Sequence, residues 1–84
     1  MTYEVLLQPL ARKEFLALPP DIAKKITQAL HTLEQKPRSP QTIKLSGGDG
    51  YRLRVGDYRI LYDIDDSARR GIAYRIKHRR EAYR

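Results

Sequence analysis

The side chains in this sequence best suited to chemistry are arginines, and they are crowded. YRLRVGDYRILYD places Arg52, Arg54 and Arg59 within eight positions, and IAYRIKHRREAYR adds Arg75, Lys77, His78, Arg79, Arg80 and Tyr83. Arginine is planar, always charged and weakly hydrated, and its forked donors match the oxygens of a phosphate. Like charges opposed on a sheet disfavour folding, where a good cross-strand pair would contribute ~0.2–1 kcal/mol. Such a cluster is expected to hold an anion that relieves the repulsion. The competing reading is a solvated face kept positive for solubility, but a generic face of that kind would mix acids with its bases.

His78 is the group in this cluster that could move a proton near neutral pH. Lys77, Arg79 and Arg80 around it disfavour its cation, so a neutral ring able to act as a base is expected. The plainer alternative is a surface histidine near a basic terminus. Tyr83 offers a ring on which an unpaired nucleobase can stack. Asp57 and Asp63 suit turn chemistry and an arginine partner better than a metal pair, and His31 fits a partly packed helix surface. With no cysteine, and with His31 and His78 far apart, neither a metal site nor a cofactor is expected.

These residues need a scaffold. TYEVLLQ (2–8) alternates and ends at Pro9, which predicts a first or edge strand with Tyr3, Val5 and Leu7 inward. LARKEFLAL (10–18) switches to helical spacing, with Ala11, Phe15 and Leu18 on one side and Arg12, Lys13 and Glu14 toward water. Pro20 and Asp21 open a second helix, since proline fits a first turn and an acid suits the positive helix end. Its buried stripe is Ile22, Ile26, Ala29, Leu30 and Leu33, and Pro37 stops it. PRSPQTIKLSGGDG (37–50) reads as a loop.

YRLRV, YRILYDI and IAYRIK then form a three-stranded meander, with Gly56-Asp57 as a two-residue type II′ hairpin loop. That loop pairs Val55 with Tyr58, Leu53 with Ile60 and Tyr51 with Tyr62 on an apolar face. On the other face Arg54 opposes Arg59 and Arg52 opposes Leu61. Pairing Ile64 with Ile72 sets Tyr62 against Tyr74, Ile60 against Ile76, Leu61 against Arg75 and Arg59 against Lys77. One row then reads Arg54, Arg59, Lys77, with Arg59 and Arg79 expected at the surface. The fold class is α+β, in the order β-α-α-β-β-β, with a helical hairpin on a small, mainly antiparallel sheet.

The bulk numbers agree. Eighty-four residues make one domain, 1–84, with a single small core. The net charge of +7 points to a polyanionic partner. Residues 43–84 carry eleven bases against six acids, and nine of the eleven are arginines, so this is the phosphate-facing half. No stretch approaches the ~20 apolar residues of a membrane span. The chain carries no secretory signal pattern, so a cytoplasmic setting without membrane is expected.

ARKEFLALPPDIAKKI, LSGGDGYRLRVGDYRILYDI and the terminal HRREAYR together resemble the RelE branch of the RelE/ParE toxin superfamily over almost the whole chain. The resemblance implies a RelE-like fold and the toxin of a type II toxin–antitoxin pair. It also implies a ribosome-dependent, metal-independent endoribonuclease that cuts mRNA in the decoding site, the RNA 2′-hydroxyl attacking the adjacent phosphate. Its partners would be a cognate antitoxin, RelB-like or of another family, and the ribosome with its mRNA. Carried over by position, Arg59 would stabilise the pentacoordinate phosphate, Arg79 would assist the leaving 5′-oxygen and Tyr83 would orient the nucleotide. Arg52 and Arg54 stand where well-known members carry lysines. Because arginine scarcely gives up its proton, these two become phosphate clamps and the base falls to His78. The expected catalytic set is Arg54, Arg59, His78, Arg79 and Tyr83, with Lys44, Arg52, Arg75, Lys77 and Arg80 binding RNA. The same fold also serves ParE-type toxins, which inhibit DNA gyrase and cut no RNA.

Overall fold

The structure, a computed structural model, describes residues 2–38, 42–44 and 50–78. In chain order the elements are β1 (Glu4–Leu7), α1 (Pro9–Leu16), α2 (Pro20–Gln35), β2 (Thr42–Lys44), β3 (Tyr51–Val55), β4 (Tyr58–Asp65) and β5 (Arg70–His78). Both helices start on a proline, where a missing backbone N–H is harmless. Lys36, held extended by Pro37, ends α2.

The sheet runs β1-β5-β4-β3-β2, with β1 parallel to β5 and every other pair antiparallel. This is the α+β fold expected from the sequence, with one strand more. The 37–50 stretch, expected to be a loop, contains β2, which pairs with β3 from Thr42 opposite Leu53 to Lys44 opposite Tyr51. Three residues are too few for alternation to show in a Pro- and Gly-rich context. Gly56 has φ +59°, and Arg69 is the only non-glycine with positive φ among the described residues. Only the first residue of the Gly56-Asp57 loop is therefore left-handed, as a type II′ turn requires.

The β3–β4 register is the expected one throughout. Between β4 and β5 it holds from Arg59 opposite Lys77 to Leu61 opposite Arg75 and then shifts. Tyr62 faces Ala73 rather than Tyr74, and Ile64 faces Gly71 rather than Ile72. A β-bulge absorbs one residue of β5 here, so Tyr62 and Ile64 stay inward opposite Ala73 and Gly71, while Ile72 faces Asp63 on the open side.

The core lies between the helices and one face of the sheet. Ala11, Ile26, Leu33, Leu53, Ile60, Tyr62, Ala73 and Ile76 are buried there, with Val5, Leu7, Phe15, Ile22 and Tyr58 packed against them. Tyr62 donates its hydroxyl hydrogen to the Pro37 carbonyl at 2.6 Å, and burial pushes its pKa up to about 12. Among the described residues no helix is long and apolar enough to cross a membrane.

Candidate phosphate site on the open face of the sheet

The face turned away from the helices carries the arginines. Arg54, Arg59 and Lys77 form one row across β3, β4 and β5, because Arg54 pairs with Arg59 and Arg59 with Lys77. The next row along the strands reads Ile43, Arg52, Leu61, Arg75. Strands lie ~4.8 Å apart, so the long side chains of a row lie against one another. Arg59, on the central strand, was expected at the surface and is instead only 5% exposed. Arg54 stays exposed, its Nε reaching 3.4 Å to the Gly56 carbonyl. The result is a guanidinium withdrawn from water and flanked by two cations. Such a row of cations suits an anion, whose charge relieves the cross-strand repulsion.

Arg52 and Lys77 share this open face and are half-buried. Arg75 shares it by register, but its guanidinium is engaged by Glu14 of α1. Its Nε lies 3.1 and 3.2 Å from the two Glu14 oxygens, and its Nη2 lies 3.0 Å from Oε2. Glu14 also accepts the Ile76 backbone N–H at 2.8 Å. Expected to face water, Glu14 instead caps the edge of β5 just where β1 has ended. A backbone donor left over at a strand edge captured this acid, and no local sequence signal marks such a meeting.

Lys44, opposite Tyr51, projects toward the helix side of the sheet. It borders a cavity of about 460 Å³ with Arg38, Tyr51, Asp63 and Asp65, at the far end of β4 from the hairpin tip. His78 is also set apart. It pairs with Tyr58 on the helix side, their rings meeting edge-on with centroids 5.2 Å apart at 87°. The structure thus brings Arg52, Arg54, Arg59 and Lys77 together and places His78 and Lys44 on the other side of the sheet. Arg79, Arg80 and Tyr83 lie outside the described residues, as does the Leu45-Ser46-Gly47 motif.

A second charged cluster was not foreseen. Arg38 grips Asp66 with two hydrogen bonds of 3.0 and 2.7 Å and donates through Nε to the Tyr51 hydroxyl at 3.1 Å. Tyr3 donates to the same Asp66 oxygen at 2.7 Å, and Tyr51 stacks on Tyr62 at 5.6 Å. These bonds tie the N-terminal segment and the chain after α2 to the β4–β5 turn. Arg38 and then Tyr3 hold the Asp66 carboxyl down to about 2, while the Asp66 bond raises Tyr3 above the usual phenol range. Among the described residues no group of three His, Cys, Asp or Glu side chains could hold a metal.

Known proteins share this architecture. Residues 5–83 match the family described as the ParE toxin of the type II toxin–antitoxin system parDE. Toxin RelG of Mycobacterium tuberculosis is 31% identical over 86 residues, spanning 100% of this chain and 99% of that protein. The RelE–RelB complex from the archaeon Pyrococcus horikoshii superposes with a TM-score of 0.82 at 31% identity, over 94% of this chain and 97% of the other. The toxin–antitoxin complex RelBE2 from M. tuberculosis gives 0.85 at 28% identity, over 94% and 100%. The chain belongs to the RelE/ParE superfamily of type II toxins.

Proposed function

We propose that this toxin is an endoribonuclease that cuts mRNA in the ribosomal A site and so stops translation. One observation carries the proposal: the Arg54–Arg59–Lys77 row, with Arg59 5% exposed and in register between two further cations. In the reaction the RNA 2′-hydroxyl loses its proton to water as its oxygen bonds to the adjacent phosphorus, the bond to the 5′-oxygen breaks, and a 2′,3′-cyclic phosphate remains. Negative charge rises on the phosphorane oxygens as this happens. Arg59 and Arg54 meet that charge, Arg52 and Lys77 hold the flanking backbone, and Arg79 stabilises the departing oxygen, which takes its proton from water. Tyr83 orients the nucleotide. The grouped side chains are cations, so this face contributes charge stabilisation rather than proton abstraction. His78, across the sheet, does not share that task, and no metal takes part.

Among its neighbours in solved structures is an archaeal RelE in complex with RelB. A cognate antitoxin, with an acidic or amphipathic segment drawn to the basic face, is accordingly proposed as partner, alongside the ribosome and mRNA in the cytoplasm. The alternative is a gyrase inhibitor without nuclease activity, favoured by the ParE description of the family match. Mapping mRNA 5′ ends after induction decides between them. New ends within codons, lost in Arg59→Met, support the nuclease; arrested replication with intact mRNA supports the alternative.

A further inference from the structure

The geometry points to a nucleobase-binding pocket behind the hairpin tip, in which His78 and Tyr58 stack with a base of the same RNA strand whose phosphate lies on the arginine row. This pocket rests on the RNA reading above and extends it to the opposite side of the sheet.

Lys77 and His78 are consecutive, yet Lys77 pairs with Arg59 on the open face and His78 with Tyr58 on the helix side. At that point the two faces are separated by the thickness of a single strand. RNA held on the arginine row therefore needs to pass only the end of β5 and the Gly56-Asp57 turn to reach the far side. There it meets a cavity of about 300 Å³ lined by Ile22, Lys25, Val55, Asp57, Tyr58 and His78. Ile22, Val55 and Tyr58 give an apolar floor. The Tyr58 and His78 rings, edge-on at 5.2 Å and 87°, form a corner against which a flat heterocycle can lie. Lys25 and Asp57 add one cation and one acceptor for the polar edge of such a ring. An apolar slot with two aromatic walls beside a cationic track is how single-stranded nucleic acid is held without dependence on sequence. His78 thereby becomes a positioning residue for the RNA.

Titrating the full chain with adenosine 5′-monophosphate while observing NMR signals tests this. The expected result is shifts in the Ile22 and Val55 methyls and the His78 ring, whereas inorganic phosphate shifts only signals of the arginine face. In cleavage of mRNA on programmed ribosomes, His78→Ala is expected to raise KM about tenfold with kcat retained, and His78→Phe to restore KM. The pocket is overturned if those three signals stay still with the nucleotide, or if His78→Ala cleaves with unchanged kcat and KM; the second result leaves the nuclease reading standing. A fall in kcat that His78→Phe fails to rescue also overturns it and returns His78 to proton transfer. Nucleotide shifts in a chain that never cuts RNA uphold the pocket and overturn the nuclease.

Discussion

Arg59 and Ile60 are neighbours on β4, exposed 5% and 0%, and they point to opposite faces of one sheet. Ile60 is buried against Leu53 and Ile76 with the helices above, and removing it from water contributes roughly 1.5–3 kcal/mol. Arg59 is buried between Arg54 and Lys77, whose like charges repel it. The same alternation thus builds one face of packed apolar side chains and one of crowded cations. A rule broken in so central a place marks function more surely than the net charge does.

Substitutions that break this comparison can be ranked. The largest effect belongs to the helix face: Ile26→Asp, with no water at that site, is expected to lose more than about 4 kcal/mol and to abolish the cooperative urea transition. Glu14→Ala removes the acceptor of the Ile76 N–H and the carboxylate that holds the Arg75 guanidinium. A loss of about 1–3 kcal/mol should appear in denaturant midpoints. On the open face the sign reverses: Arg54→Met is expected to raise stability by about 0.2–1 kcal/mol while weakening RNA binding.

The smallest effect is at Asp66, which is exposed and lies apart from both faces. Its folded-state pKa of about 2 lies below the ordinary 3.8. Its contribution is therefore complete above pH 3.8 and is lost as pH falls toward 2. Asp66→Asn should melt slightly below wild type at neutral pH, and the gap should close across that acid window.

Much of this contrast was legible in the sequence. Alternation in 51–64 and a two-residue loop fix which side chains share a face, and the arginine row follows from arithmetic on that loop. Helical spacing with Pro9, Pro20 and Pro37 set both helices. Four features were not legible, each because it depends on contacts between distant segments. The bulge that trades Tyr74 for Ala73 answers to the core rather than to local pattern. Glu14 capping Ile76 and Arg38 gripping Asp66 join residues dozens of positions apart. The burial of Arg59 follows from its place on the central strand, a consequence of sheet order that alternation alone does not give. His78 was separable in principle, since a residue next to Lys77 must point the other way.

The central claim is that Arg59 serves a phosphate rather than the core, and one paired measurement on Arg59→Met addresses it. Thermal midpoint and RNA cleavage rate are read on the same preparation. The account predicts a cooperative thermal transition retained, with cleavage reduced about 10²–10³-fold. A variant that melts far below wild type, or that cuts RNA at the wild-type rate, would contradict it.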